Sequence, residues 1–336
     1  MLNKTVFIMR KFLLKWPLIL TMAGLIAVGC SDDDSDDNNG NNNPQTVAAT
    51  VESDARFSIL ADALNRTNLV SVLSDANAKF TVFAPNDQAF QVLLSQGNYA
   101  NLDAVIADIG NDGLRNLLLY HVLQAEVRSN QVTSDYATTA ATNADGDRLS
   151  LFTQASGGVT INDVATVQDA DIEASNGVIH EIDFVLSPLN VAELISVNSE
   201  TYSSLLAALS VADGDLTALL SSESNTYTVF APDNEAFDAL LQATGSADLN
   251  ALVTTLGGTN VLASVLLYHV VKGNVRAEDL QDNMMVETSF PNNSFTVNLG
   301  SEVTITDGQG GTSTVTQTNI QGTNGVVHRI SAVLQP

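Results

Sequence analysis

The chain has 336 residues, of which 45% are hydrophobic and 15% charged, and its formal net charge is -25. This length fits about two globular domains, and the apolar content is enough for each domain to bury a core. Because 38 acidic residues face only 13 basic ones, the chain should repel nucleic acid and anionic membrane surfaces, which excludes a nucleic-acid-binding function. The single cysteine excludes an intrachain disulfide.

Residues 1–30 have the three parts of an export signal. MLNKTVFIMRKFLLKW is basic, PLILTMAGLIAV is a short apolar run, and small residues precede Cys30. An apolar run of roughly a dozen residues is too short for a comfortable membrane span. The pattern resembles a bacterial lipoprotein signal peptide, in which Cys30 is lipidated and becomes the mature N-terminus. Met9 is an alternative start, and a plain secreted protein with a free thiol is the alternative interpretation.

The next segment, SDDDSDDNNGNNNPQT, contains no apolar side chain except Pro44. Such a composition cannot bury enough surface to offset the entropy of ordering, so residues 31–47 are predicted to form a disordered acidic tether. The tether would hold a folded body away from a membrane that only the N-terminal lipid enters. Its acidic start resembles the surface-export signal of lipoproteins in Bacteroidetes-type bacteria, which favours the outer membrane and cell surface; a spacer facing the periplasm is the alternative.

Beyond the tether, three sequence blocks occur twice in the same order. TVFAPNDQAF (81–90) matches TVFAPDNEAF (228–237), LLLYHVLQAEVR (117–128) matches VLLYHVVKGNVR (265–276), and NGVIHEIDFVLSP (176–188) matches NGVVHRISAVLQP (324–336). The second and third blocks are displaced by 148 residues and the first by 147. This repeat predicts two tandem domains, residues 48–188 and 189–336, in close contact because no long loop separates them.

The first predicted element of each copy is a helix. Residues 54–73 carry apolar side chains at helical spacing, and Ser53 or Asp54 can cap the helix. The TVFAP block then predicts a short buried strand and a second helix, capped by Asn86 in the first copy and by Asp233 in the second. The aromatic and proline positions of this block are interpreted as structural: Phe83, Pro85, Phe230 and Pro232.

The second block predicts a helix that ends at a histidine and is followed by a strand. In that strand Leu123, Ala125 and Val127 alternate with polar residues. The later parts of the two copies, residues 137–186 and 286–334, are rich in Thr, Val and Ile and predict further strands. Helices followed by strands favour an α+β domain over βαβ units.

Four histidines are the candidates for catalysis or transition-metal binding. His180 and His328 each lie on the apolar face of a predicted strand, which favours hydrogen-bonded core positions. His121 and His269 end a predicted helix, where an imidazole can bond to the last carbonyls. The spacings HxH, HxxxH and CxxC do not occur around them, so a metal site is not supported.

The sequence contains no nucleophile elbow, phosphate loop or dinucleotide fingerprint. Asp145 and Asp147 in NADGDR suggest calcium, but a twelve-residue loop with a closing Glu is missing, and a hairpin turn is the better interpretation. We therefore expect a protein that is not an enzyme and needs no cofactor or metal.

Together the TVFAPxxxAF block, the Tyr-His pair before a strand and the NGVxHxIxxVLxP block resemble the fasciclin domain, an adhesion module of bacteria, plants and animals. The resemblance covers nearly all of residues 48–336. It implies two tandem α+β domains, each a wedge-shaped β-sandwich with helices packed against it. It also implies binding rather than catalysis, with extracellular matrix, cell-surface proteins or glycans as partners.

In animal relatives, adhesive activity is assigned to the Tyr-His region and to an Asp-Ile pair before the last block. The matching positions here are Tyr120, His121, Tyr268 and His269 for the first region, and Asp171 and Ile172 for the second. The second copy has Asn319 in place of the aspartate. The resemblance thus predicts that Asp171→Ala weakens partner binding without lowering the melting temperature.

The hypothesis that follows is a surface-anchored adhesion lipoprotein with two fasciclin domains that contact cells, matrix or an envelope partner. The alternative is a polysaccharide- or small-ligand-binding lipoprotein for nutrient capture, which would use surface tyrosines such as Tyr99, Tyr136 or Tyr202. A structural spacer within an envelope complex is a third hypothesis.

Overall fold

The computed structural model describes residues 44–336. The predicted signal peptide, Cys30 and residues 31–43 of the predicted tether lie outside the described residues. Within the described residues, the first helix starts at Val47, the first apolar residue after Pro44. The Thr46 side chain caps this helix by accepting a hydrogen bond from the backbone N–H of Ala49 at 3.4 Å.

The first domain places most of its helices before its strands. Its helices are α1 (Val47–Ser53), α2 (Ser58–Arg66), α3 (Val70–Leu73), α4 (Asp87–Gln96) and α5 (Leu102–Leu119). Its strands are β1 (Phe80–Pro85), β2 (Val122–Leu123), β3 (Asp135–Thr142), β4 (Arg148–Gln154), β5 (Thr160–Ile161), β6 (Ala165–Ala174) and β7 (Gly177–Ile182). Two 3-10 turns, Ala55–Phe57 and Ser129–Gln131, lie between these elements.

The second domain repeats this order. Its helices are α6 (Val191–Val197), α7 (Ser199–Val211), α8 (Leu216–Leu220), α9 (Asn234–Thr244), α10 (Leu249–Leu256) and α11 (Thr259–Tyr268). Its strands are β8 (Tyr227–Pro232), β9 (Val270–Lys272), β10 (Met284–Glu287), β11 (Ser294–Leu299), β12 (Val303–Thr306), β13 (Thr312–Gly322) and β14 (Gly325–Ile330). The predicted α+β class is confirmed for both copies, each of which has a sheet with helices packed against it.

The central pair of strands in each domain is parallel. In the first domain β1 runs beside β7, with Phe80 opposite Gly177 and Pro85 opposite Ile182. In the second domain β8 and β14 pair in the same way. The strands of the first domain close on themselves in the order β1 to β7, and those of the second follow the order β10-β11-β12-β13-β14-β8-β9.

This parallel pair explains why a glycine follows the asparagine, Asn176 or Asn324, in both copies of the third block. At Gly177, where φ is 156°, a Cβ atom would lie 2.1 Å from the carbonyl oxygen of Phe80. At Gly325 the same distance, to the carbonyl oxygen of Tyr227, would be 1.8 Å. No side chain fits in that space, so only glycine allows the two strands to approach this closely.

Each domain buries apolar side chains on both faces of the central strands. In the first domain the helices cover one face, where Val82 and Ile179 pack with Phe90. The opposite face lines the inside of the sheet, where Phe83 and Ile182 pack together. The second domain has the same two cores. Because both faces are covered, all residues of β7 are buried.

The predicted helix over residues 54–73 is three separate pieces. Asp54 caps the 3-10 turn at Ala55–Phe57, and α2 and α3 follow. Asn68 adopts a left-handed conformation, with φ of 54°, between α2 and α3. The periodicity of the apolar residues was therefore helical, but the chain changes direction within it.

The predicted strand through Leu123, Ala125 and Val127 is also too long, because β2 ends at Leu123. Beyond that residue the hydroxyl of Thr81 holds the chain. It donates to the carbonyl of Ala125 at 2.6 Å and accepts from the N–H of Val127 at 2.8 Å. A side chain thus takes the place of the backbone ladder, and the alternating pattern continues without a partner strand.

The two domains pack directly on each other, as their short connection predicted. The hydroxyl of Tyr136, on β3, donates to the carbonyl of Leu194, on α6, at 2.6 Å. The Tyr136 ring packs against the helical core of the second domain and lies 5.1 Å, centroid to centroid, from Phe152. An aromatic pair of the first domain therefore extends into the second.

Polar contacts surround this aromatic pair. Asp147 accepts hydrogen bonds from Asn274 at 2.7 Å and from Arg276 at 2.8 Å, so an ion pair crosses the boundary. Further bonds between the domains include those from the N–H of Gln321 to the Ser150 hydroxyl at 3.0 Å and from the amide of Gln317 to Asp135 at 2.8 Å. These contacts fix the orientation of the two domains relative to each other.

Replacing Tyr136 by alanine should weaken the contact between the domains. We expect the free energy of unfolding to fall by about 2–4 kcal/mol, because a large, mostly buried ring is lost and a gap is left. Calorimetry of the variant should then resolve two unfolding transitions, one for each domain, because the domains are less strongly coupled than in the unaltered tandem. Tyr99→Ala, which removes a tyrosine of the first domain away from the boundary, is the control; a Tyr136→Ala profile matching it would show that the contact contributes nothing.

Candidate functional site

The Tyr-His pairs lie at the C-terminal ends of α5 and α11, inside the protein. Tyr120 is 0% exposed and His121 2% exposed. The Tyr120 hydroxyl donates to the carbonyl of Ser150 at 2.8 Å, and Tyr268 makes the equivalent bond to Ser294 at 2.7 Å. These rings connect the end of a helix to a strand of the sheet, and they do not reach the surface of the folded domain.

His121 connects the end of α5 to the chain that leaves the domain. Its Nδ1 bonds to the carbonyl of Leu117 at 2.8 Å, and its Nε2 accepts a hydrogen bond from the N–H of Leu186 at 2.8 Å. His269 makes the equivalent pair of bonds at 2.8 and 2.9 Å. Because one nitrogen must donate and the other accept, each ring is the neutral Nδ1–H tautomer.

Burial keeps these two rings neutral. It lowers the pKa of His121 to about 4, although the bond to the Leu117 carbonyl favours the charged form. The pKa of His269 is lowered to about 4 for the same reason. Both imidazoles are therefore uncharged at neutral pH and have no nitrogen left to bind a proton or a metal.

His180 and His328 occupy equivalent positions in the second strand of the parallel pair. The Nε2 of His180 bonds to the carbonyl of Val127 at 2.9 Å, and its Nδ1 accepts from the N–H of Asp171 at 3.2 Å. His328 repeats these bonds at 2.9 and 3.4 Å. Its ring stacks on Phe230 at a centroid distance of 5.3 Å, as His180 lies 5.7 Å from Phe83.

Asp171 carries the most accessible functional group of the six predicted partner-binding residues. It adopts a left-handed conformation, with φ of 60°, where the register of β6 against β7 is irregular. Its carboxylate accepts a hydrogen bond from the N–H of Ser129 at 2.8 Å, and its side chain is 32% exposed. Ile172 is half-buried against the helical core. Asp171 thus has a structural role as the cap of the Ser129–Gln131 turn.

Burial alone would raise the pKa of Asp171, but the hydrogen bonds from Ser129 outweigh it and hold the pKa below its usual value. The carboxylate is therefore ionised at neutral pH. In the second domain Asn319 takes the same left-handed conformation, with φ of 58°, and its side chain accepts from the N–H of Ala277 at 2.8 Å. The capping bond needs an acceptor oxygen, which an amide supplies as well as a carboxylate does.

A charged network around Arg56 was not predicted from the sequence. Its guanidinium contacts Asp54 at 2.7 Å, Asp169 at 3.0 Å and Glu181 at 2.6 Å. Asn86, the cap of α4, also donates to Glu181 at 2.8 Å. Residues more than 100 positions apart meet here, and the one indication in the sequence was an acid, Glu181, in a strand that is otherwise apolar except for His180.

The described residues, 44–336, also bear on metal binding and membrane insertion. Within this range no group of three or more His, Cys, Asp or Glu side chains could hold a metal ion. Across the same residues no single helix is long and apolar enough to cross a bilayer, although α10 and α11, bent by 92° at their junction, pass the length and composition criteria as a pair.

The two neutral histidines predict a specific loss of stability in acid. Their pKa of about 4 in the folded protein lies below the ordinary value of 6.5, so between these values the unfolded chain binds protons that the folded one does not. The contribution of these two histidines to the free energy of unfolding is therefore fully present above pH 6.5 and is lost as the pH falls towards 4. We expect a loss of about 2 kcal/mol per histidine between pH 7.5 and 5, measured by urea unfolding.

The control is His121→Gln, which removes one titrating ring. Whatever its absolute stability, its dependence on pH should be shallower by the contribution of one histidine. An unchanged slope would show that burial of this ring does not set the acid sensitivity.

Comparisons with known proteins agree with this architecture. The family model for the Fasciclin domain matches residues 55–188 and 200–336. Transforming growth factor-beta-induced protein ig-h3 of Sus scrofa is 28% identical over 274 residues, which cover 81% of this chain and 37% of that protein. Protein sll1483 of Synechocystis sp. is 36% identical over 143 residues, which cover 43% of this chain and 73% of that protein. The chain thus spans little more than a third of the ig-h3 protein that it matches.

A solved FAS1 domain pair from the insect cell adhesion molecule Fasciclin I aligns with 86% of this chain and 96% of its own length, at 18% identity and a TM-score of 0.47. The two segments matched by the family model cover most of the chain and correspond to the two domains of the structure. The chain therefore belongs to the fasciclin domain family, as a tandem pair of its domains.

Proposed function

We propose that this protein is a surface-anchored lipoprotein whose two fasciclin domains bind cells, extracellular matrix or an envelope partner. The observation that carries the proposal is the match to the fasciclin family over both domains. The partner is a matrix or cell-surface protein or a glycan, and binding is not accompanied by catalysis. In support, all four histidines in residues 44–336 use both ring nitrogens in hydrogen bonds within the fold.

The proposal includes anchoring through a lipid on Cys30, since residues 1–30 resemble a lipoprotein signal peptide. The acidic segment after Cys30 would place the domain pair outside the outer membrane. The formal charge of the whole chain, -25, suits a body that stays away from an anionic membrane surface.

The polysaccharide-capture alternative has less support. It relied on surface tyrosines, and for two of the three that expectation is wrong. Tyr136 lies in the contact between the domains, and Tyr202 is 0% exposed. The third, Tyr99, donates its hydroxyl to Asp108 within the first domain. No cluster of accessible aromatic rings therefore supports stacking on sugars in the described part of the chain.

Asp171 provides the sharpest test of partner binding. Because its carboxylate caps the Ser129–Gln131 turn, we expect Asp171→Ala to lower stability by about 1–2 kcal/mol, in contrast to the effect predicted from the resemblance. Asp171→Asn should keep the fold, as Asn319 does in the second domain, and remove only the charge. We expect the asparagine variant to melt within a degree or two of the unaltered protein and to bind its partner less tightly.

The measurement is a binding screen of soluble residues 44–336 against matrix proteins, envelope polysaccharides and whole cells, with and without calcium. Asn319→Asp is the matched control, because it adds a charge at the equivalent position of the second domain. If Asp171→Asn and Asn319→Asp bind as the unaltered protein does, the Asp171 charge has no part in recognition. A signal on polysaccharides alone would favour nutrient capture instead.

Anchoring is tested by removing the proposed lipid acceptor. The protein expressed in a Gram-negative host should partition into the detergent phase of Triton X-114, whereas Cys30→Ala should remain in the aqueous phase. Mass spectrometry of the N-terminal peptide should show acyl chains on Cys30. An aqueous unaltered protein with an unmodified cysteine would contradict the lipoprotein assignment and leave secretion.

A further inference from the structure

The second domain receives the first through four residues, here named the docking surface: Asn274, Arg276, Gln317 and Gln321. Gln321 contacts the first domain through its backbone N–H, and its side-chain amide donates to Asn274. Three of the four are neutral amides. Two of these amides, Asn274 and Gln317, donate to the carboxylates of Asp147 and Asp135 in the β3–β4 hairpin of the first domain. The docking surface thus pairs amides and one guanidinium with an acidic hairpin.

The first domain has an equivalent surface that no other part of residues 44–336 covers in this way. The displacement of 148 residues between the repeats holds in the strand register, since Asp169 lies opposite Glu181 as Gln317 lies opposite Arg329. The same displacement relates the four residues of the docking surface to a set in the first domain, here named the open surface: Glu126, Arg128, Asp169 and Glu173. The side chains of Asp169 and Glu173 are 52% and 68% exposed.

The two surfaces differ in one consistent respect. Each of the three amides of the docking surface is a carboxylate in the open surface, while the arginine is kept at the same position. The backbone below is the same, because β6 pairs with β7 as β13 pairs with β14, including the irregular register. The open surface therefore has the backbone geometry of a protein-docking site and a more negative charge.

Neighbouring cations only partly neutralise the open surface. Arg128 contacts Glu126 and Glu173 at 3.4 and 3.3 Å, and Lys79 contacts Glu126 at 3.2 Å. Arg56 contacts Asp169 but also pairs with two further acids, Asp54 and Glu181. Five carboxylates thus share three cations. Exposed ion pairs of this kind contribute little and exchange readily for the charges of a partner.

We propose that the open surface is a docking surface for a protein partner, and that the partner presents lysine or arginine where the β3–β4 hairpin presents Asp135 and Asp147. The proposal rests on the binding function proposed above and names the chemistry of the partner. A second copy of this chain does not fit, because the Asp147 and Asp135 of its hairpin would meet Glu126 and Asp169 in place of Asn274 and Gln317. Like charges at an interface exclude the wrong partner, and opposite charges favour the right one.

The test uses the unlipidated mature chain, residues 31–336, uniformly labelled with 15N, and a hexa-arginine peptide as the probe. We expect the peptide to shift the amide resonances of β6 and of the Ser129–Gln131 turn, and to leave those of the covered strand β13 unchanged. A hexa-glutamate peptide should shift neither set. Shifts spread evenly over the acidic surface would overturn the proposal.

Two variants with the same change in net charge separate this surface from general attraction. Asp169→Asn with Glu173→Gln gives the open surface two amides, whereas Asp62→Asn with Asp103→Asn removes two acids that pair with Arg66 elsewhere on the first domain. We expect the first pair to weaken binding of the peptide by about fivefold and the second by less than twofold. Equal effects would show that only net charge matters.

The peptide titration needs no natural partner, so its failure is distinct from a failure of the adhesion function. If a matrix or cell partner from the binding screen binds both variant pairs as it binds the unaltered chain, adhesion stands and the open surface is not where it occurs. If the partner discriminates against Asp169→Asn with Glu173→Gln alone, the surface is supported with the natural ligand.

Discussion

Each domain depends on two buried imidazoles that use both ring nitrogens in hydrogen bonds. The first connects the end of a long helix to the chain leaving the domain, and the second connects the last strand to the segment that follows the helix. Both use one nitrogen as donor and the other as acceptor, which a protonated ring cannot do. The helices and the sheet are joined at these points, so the packing of helices on the sheet depends on the hydrogen bonds of two rings in each domain.

The fold class and the repeat could be predicted from the sequence because they follow from local features. Caps such as Asn86 and Asp233 act within three residues, and both accept a hydrogen bond from the third residue after them. The breaks could not be predicted in the same way. The left-handed turn at Asn68 and the bridging hydroxyl of Thr81 are decided by contacts with distant parts of the chain, which the local pattern does not contain.

The candidate site was predicted less well, for a related reason. Motif residues that recur in a family include residues that the fold requires as well as residues that bind a partner, and burial separates the two kinds. Tyr120 and His121 prove to be fully enclosed, whereas Asp171 keeps part of its carboxylate in solvent. The Arg56 network and the open surface could be identified only from the three-dimensional arrangement. The role proposed for Asp169 and Glu173 follows from comparison with their amide counterparts in the second domain.

The connection between the domains has a mechanical consequence. Leu186 is bonded to His121 of the first domain, the carbonyl of Leu189 accepts from the N–H of Thr323 of the second, and Asn190 caps α6. The linking chain thus has no free length between its two attachments. A force that separates the domains must break one of these bonds, or the ion pair between the domains, before the chain can lengthen. Under tension the tandem should therefore keep a fixed length until the contacts between its domains, or the first bonds within one domain, are broken.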